Sequence, residues 1–276
     1  MTLPPATDGW TARYLARLGL DRAAPSRAAL DAIVRAHRSV TFECVSSLMR
    51  RHAAGHGPVP PLDLDDVLAS WEARAAGGVC YEFGSMLERL LADLGYTAYP
   101  VLAKISFPGS HSALIAELDG RRLLVDVGNG QPILESIDVD QPFEIDRAGL
   151  RYRFRRDEAF GKLVQDRWID GAFQPFVTYE LIAATPDEME ASYQRHHALP
   201  PRTFVMQNFR LVRCADDEVI QLRDHEFTRW TAAGKALEAV HGVDRYGELV
   251  AGRFGLPAMD VDRGLAAWSA ITGALA

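Results

Sequence analysis

Apolar positions recur at helical spacing through the first third of the chain and at strand-like spacing through much of its middle. Trp10, Tyr14, Leu15 and Leu18 share one stripe; Leu30, Ile33, Val34 and His37 share a second, after a break at Pro25-Ser26 where Ser26 is placed to cap. A further helical pattern runs from Phe42 to Arg50. A Gly/Pro-rich loop from Gly55 to Pro61 follows, and then Leu64, Val67, Leu68 and Trp71 resume the spacing. The most regular stripe starts at Gly77-Gly78: Cys80, Phe83, Leu87, Leu90, Leu91 and Leu94 predict an amphipathic helix that ends at Gly95 and carries Cys80 in its first turn.

After Gly95 the period shortens. Tyr99 to Phe107, His111 to Leu118 and Arg121 to Val127 read as antiparallel strands, and Asp119-Gly120 predicts a two-residue type I′ turn between the second and third. That turn sets Leu118 opposite Arg121, hence Ala113 opposite Asp126 and His111 opposite Gly128. His111 and Asp126 then share one face as diagonal neighbours, roughly 7–8 Å apart at Cα, a gap an imidazole and a carboxylate bridge. A loop with an odd number of residues would put them on opposite faces. Each also has a plain structural reading, His111 as a satisfied sheet histidine and Asp126 as a turn residue before Gly128-Asn129-Gly130.

Further strands are expected at Tyr152 to Phe154, Trp168 to Val177, Phe204 to Arg213 and Val219 to Leu222, with Asp216-Asp217 as a hairpin tip. Pro186 to His197 reads as a helix, with His196-His197 in an exposed loop before Pro200-Pro201. Helical patterning returns from Glu226 through Leu237 and Val240, and again at Tyr246, Leu249 and Phe254. Gly128-Asn129-Gly130 lacks the third glycine and following helix of a dinucleotide site. His52 and His56 have metal-ligand spacing, but no carboxylate or cysteine completes a set, so no metal is expected.

Composition changes this picture little. With 276 residues, 48% hydrophobic and 24% charged, the chain is long enough for two or three packed units. A formal charge of −7 gives no overall attraction to nucleic acid or an anionic membrane, and the run Arg151-Tyr152-Arg153-Phe154-Arg155-Arg156 reads as a solvated strand face. Three widely spaced cysteines argue against a disulfide framework and for a reducing compartment. Met1 to Trp10 has no leader-like pattern and no later run approaches a membrane span, so a cytoplasmic protein is expected.

Candidate chemistry centres on Cys80. In a first helical turn, unpaired N–H groups and the positive end of the helix dipole favour the thiolate, and the side-chain-free Gly77-Gly78 lets backbone amides approach an oxyanion. A buried, inert cysteine is the competing reading. A histidine and a carboxylate converging on one face beside that cysteine tip the balance towards a nucleophile, base and orienting acid.

These residues resemble the arylamine N-acetyltransferases and their amide-synthase relatives. That family carries Arg-Gly-Gly-x-Cys-Phe-Glu, then a histidine, then Asp-Val-Gly-Phe-Gly; the matching stretches here are Ala76 to Glu82, Ser110-His111 and Asp126-Val127-Gly128-Asn129-Gly130. Tyr14 to Gly19, Phe42-Glu43 and Pro200 to Phe204 extend the likeness over most of the chain. The resemblance implies an α+β fold: an N-terminal helical bundle with the nucleophile (1–95), a central antiparallel β-barrel with His and Asp (96–200) and a C-terminal α/β lid (201–276), around a cysteine-protease-like core. It implies Cys80 as acylated nucleophile, His111 as base, Asp126 as its orienter, and Phe42, Asn129 and Phe204 at the substrate pocket.

It also implies ping-pong transfer from a thioester, acetyl-CoA or another acyl-CoA, to a small amine, with no tightly bound cofactor. The alternatives are amide synthesis from an acyl group on a carrier protein, a thiol hydrolase using the same triad logic, and a binding protein that has lost the reaction. Three departures bear on these. Ala76 replaces the motif arginine, Gly84 stands where asparagine is usual, and Asn129 replaces a phenylalanine, which disfavours a flat apolar acceptor and favours a more polar one.

Overall fold

The computed structural model describes residues 8–274; Met1 to Thr7, most of the stretch read for a leader, lie outside the described residues. Five helices open the chain, α1 (Asp8–Leu18), α2 (Arg27–Ala36), α3 (Val45–Ala54), α4 (Leu64–Glu72) and α5 (Cys80–Leu94), with a short strand β1 (Phe42–Glu43) before α3. Ser26 caps α2, its Oγ accepting from the Ala29 amide at 3.1 Å. The stripes meet in one core holding Tyr14, Leu30, Ile33, Trp71, Phe83 and Leu90. Each such side chain contributes about 1.5–3 kcal/mol by leaving water.

The continuous helix expected from Phe42 to Arg50 is a strand followed by a helix. Phe42 pairs with Val212, and Glu43 directs its amide to Gly78 O. The Glu43 carboxylate accepts from the Ser46 amide at 2.9 Å, so it starts α3 from outside instead of joining it.

Eight antiparallel strands form the central sheet: β2 (Thr97–Lys104), β3 (His111–Leu118), β4 (Arg121–Val125), β5 (Ile137–Asp138), β6 (Phe143–Arg147), β7 (Leu150–Asp157), β8 (Lys162–Ile169) and β9 (Ala172–Tyr179). Their order, β5-β4-β3-β2-β9-β8-β7-β6, curls into a nearly closed barrel. The β3-β4 register is the expected one, Leu118 opposite Arg121 and Leu114 opposite Val125, across a turn with φ of 52° at Asp119 and 74° at Gly120. The two faces of this hairpin serve two cores. Leu114, Ala116, Leu123 and Val125 pack on the helices, whereas Ala113, Ile115 and Leu124 fill the barrel with Phe154, Val177 and Tyr179.

The single strand expected over Trp168 to Val177 is two. Asp170-Gly171 turns the chain between β8 and β9, pairing Ile169 with Ala172. Along β7 the arginines alternate with buried Tyr152 and Phe154, and Arg153 and Arg155 both reach Asp166, at 2.6 and 2.9 Å.

The remaining elements are α6 (Pro186–His196), α7 (Phe204–Gln207), β10 (Arg210–Cys214), β11 (Glu218–Arg223), β12 (Glu226–Thr231), β13 (Gly234–Ala239), α8 (Val243–Gly252) and α9 (Val261–Thr272). Strands β10 to β13 form a second antiparallel sheet whose far edge is β1. The strand expected at Phe204 to Arg213 begins instead as a helical turn, because Thr203 Oγ1 caps the Met206 amide at 3.3 Å. The helix expected from Glu226 to Val240 is the β12-β13 hairpin, where Phe227, Thr228, Trp230 and Thr231 favour a pleated surface. His196 and His197 are buried, each 1% exposed, not in an exposed loop. They end α6 against Tyr81 and Tyr193, with ring centroids 5.1 and 4.5 Å away. Among the described residues no helix is long and apolar enough to cross a membrane.

Candidate active site

Cys80 opens α5 on a loop held by two buried carboxylates. Glu43 accepts from the Gly77 amide at 3.1 Å and Glu82 from the Val79 amide at 3.0 Å. The Gly77 amide is therefore engaged, and its lack of a side chain serves packing, since a β-carbon there would fall 1.7 Å from Thr41 O. Oxyanion donors at this end of the helix are left to the first-turn amides of Cys80 and Tyr81, which have no intrahelical acceptor.

Ala76 stands where the resemblance has an arginine, and the charge of Glu82 is met from another element. Arg50 of α3 donates to Glu82 Oε1 at 2.7 Å. Burial alone would raise the Glu82 carboxyl, but Arg50 and the Val79 amide hold it below the ordinary carboxylate range.

His111 is the first residue of β3, and Asp126 lies one residue past β4. Their side chains meet at 2.7 Å between Nε2 and Oδ2, both buried. With Nε2–H donated to the carboxylate, the other ring nitrogen is left without a protein partner among the described residues, and His111 and Cys80 line the same cavity. Gly128 makes that proximity sterically feasible: a β-carbon there would stand 2.6 Å from Cys80 Cα, so only glycine lets the chain after β4 lie against the cysteine.

Asp126 is held by more than the imidazole. It also accepts from the Tyr179 hydroxyl at 2.8 Å, Asn129 Nδ2 at 3.0 Å and the Gly128 amide at 3.2 Å. Burial opposes a charged His111, yet the Asp126 carboxylate and the Cys80 sulfur outweigh it and raise the ring to about 10. The other thiols lie elsewhere. Burial pushes Cys214 up to about 12 and Cys44 higher still, and the Cys44 sulfur bonds Asn208 O at 2.7 Å.

Cys80 and His111 open on a cavity of about 490 Å³ between the barrel and the second sheet, lined also by Phe42, Asn129 and Phe204. The Asn129 side chain is partly spoken for, since its Nδ2 braces Asp126 and its Oδ1 accepts from the Gln131 amide at 2.9 Å. Sequence reasoning missed Tyr179 and Arg50 as supports. Nothing local marks either, since Tyr179 on β9 and Arg50 on α3 lie far along the chain from the carboxylates they support.

A family model described as N-acetyltransferase matches residues 28–260. The arylamine N-acetyltransferase of Mycolicibacterium smegmatis is 28% identical over 269 residues, covering 85% of this chain and 90% of that protein. Proansamycin X synthase of Amycolatopsis mediterranei is 38% identical over 82 residues, 27% of this chain and 31% of its own. The arylamine N-acetyltransferase of Mycobacterium marinum, solved in complex with CoA, superposes with a TM-score of 0.79 at 20% identity, covering 95% of this chain and 99% of that one.

Proposed function

This chain belongs to the arylamine N-acetyltransferase family, and from that premise we propose that it transfers an acyl group from acetyl-CoA or another acyl thioester through Cys80 to an amine. The observation that carries the reading is the buried His111–Asp126 contact at 2.7 Å beside the sulfur at the start of α5. The Cys80 sulfur attacks the thioester carbonyl, the thiol leaves with a proton from His111, and an acyl-cysteine remains. The amine nitrogen then attacks that carbonyl. Its proton passes to His111 and the amide departs as the carbon–sulfur bond breaks. Asp126 fixes the tautomer throughout, and the amides of Cys80 and Tyr81 receive the oxyanion.

Incubation with acetyl-CoA followed by intact-mass measurement is expected to show one acetyl adduct that Cys80→Ala abolishes. An adduct of equal occupancy in that variant sinks the assignment.

The short match to a proansamycin X synthase and the amide at Asn129 favour a second reading, amide synthesis from a carrier-bound acyl group. Carrier-bound and CoA-bound forms of one acyl chain loading Cys80 at equal rates would remove its basis.

A further inference from the structure

Asn129 stands in the loop that lies against Cys80, and both ends of its side chain are engaged within that loop. Nδ2 donates to Asp126 Oδ2 at 3.0 Å, and Oδ1 accepts from the Gln131 amide at 2.9 Å. These partners fix which way the amide points, since only an oxygen can face the Gln131 N–H and only an N–H can face the carboxylate. The residue is 8% exposed. It ties the aspartate to the chain beyond Gly130.

The tie belongs to a longer buried chain of polar groups. The Gln131 side chain accepts from Gln165 Nε2, and Gln165, fully buried on β8, places its Oε1 3.2 Å from the Tyr179 hydroxyl. Tyr179 has one proton, and it goes to Asp126, the nearer and charged acceptor at 2.8 Å. Asn129 and Tyr179 thus reach Asp126 from two ends of one network. Polar groups beside an apolar barrel core are costly unless they satisfy one another, and this set ends on the carboxylate that holds His111.

The loop leaves Asn129 little freedom. Gly128 abuts Cys80, and Gly130, with φ of 66°, would carry a β-carbon 3.0 Å from the Phe42 ring. Held between these two contacts, the Asn129 side chain is committed to Asp126 before any substrate arrives.

We infer that Asn129 is a positioning residue: it holds Asp126, and through it His111, in the orientation that activates Cys80, and so serves the loading half of the reaction, in which no amine takes part. Its place in loading rests on the acyl-transfer reading; its effect on the reactivity of the sulfur does not. The test follows Cys80 in two ways, by acetyl loading from acetyl-CoA in rapid-quench intact-mass measurements and by alkylation with iodoacetamide. Asn129→Leu keeps the shape and removes both polar ends, and is expected to slow each rate about tenfold, as loss of one charge-assisted hydrogen bond warrants. Asn129→Asp keeps an oxygen for the Gln131 amide but loses the donor, and should slow both at least as much. Asn129→Gln, which retains a donor, should keep part of the rate. Rate constants are read from the exponential, so unfolded protein lowers only its amplitude. In an Asp126→Ala background, Asn129→Leu should slow alkylation no further, because the group it acts through is gone.

Loading at the wild-type rate in Asn129→Leu, with only the discharge of acetyl-enzyme by aniline altered, places Asn129 on the acceptor side and overturns the inference while acyl transfer stands. Equal slowing of alkylation with and without the Asp126 carboxylate overturns it as well, since a merely structural role would act in both backgrounds. No acetyl loading in wild type, with the dependence of alkylation on both residues intact, overturns acyl transfer while the positioning role stands.

Discussion

Glu82 shows how a side chain two residues from a reacting group becomes hostage to another element. It is 2% exposed, and its charge is met by Arg50, itself 24% exposed at the side chain. Arg50→Met would strand that carboxylate, and removing one partner of such a buried pair costs roughly 3 kcal/mol. The urea midpoint is expected to drop accordingly. Arg50→Met combined with Glu82→Gln should recover part of the loss, because no charge is then left unpaired; no recovery would show that Arg50 acts through packing alone. At this scale the sequence made the cysteine, histidine and aspartate legible through a helix start and a hairpin register. The supports were not legible because they come from far away: Tyr179 stands 53 residues from Asp126 and Arg50 stands 32 from Glu82.

Among the elements, legibility follows how sustained the pattern is. Helix α5 and the β3-β4 hairpin were readable because a long stripe and an Asp-Gly turn each permit one geometry. Phe204 to Arg213 and Glu226 to Val240 were misread because their short apolar spacings fit either period, and packing in the second sheet decided between them. Asp170-Gly171 carried the same turn signal as Asp119-Gly120 but stood between apolar stretches too short to mark two strands, Trp168-Ile169 and Ala172-Phe173. The interior of α5 also holds a weakness. A β-carbon at Gly84 would meet nothing closer than Ser112 Oγ at 3.8 Å. Gly84→Ala should therefore stabilise the protein by about 0.5–1 kcal/mol through helix propensity. A lower thermal midpoint in that variant would contradict the open space seen there.

For the molecule as a whole, the histidines shape stability against pH. Burial pushes His37 and His197 down to about 4, and His196 well below its ordinary value. Below about pH 6.5 the unfolded chain takes up protons that these folded rings refuse, so stability falls from about pH 6.5 towards 4. His111 acts in the opposite direction. Raised to about 10, its contribution is complete below about pH 6.5 and is lost as pH rises through about 10. The urea midpoint should peak near neutrality, and the gap between wild type and His111→Gln should shrink on the alkaline side. A gap constant from neutrality to about pH 10 would mean that the ring carries no extra proton.

The hairpin that faces two cores has a further implication. The sulfur rides on α5 and the ring and its acid on the hairpin, and the two elements are held together by the apolar layer they share, Phe83 and Leu90 with Leu114 and Val125, so their meeting depends on this seam staying shut. Mild denaturant that only parts this seam should silence turnover while ellipticity and tryptophan emission still report a folded chain.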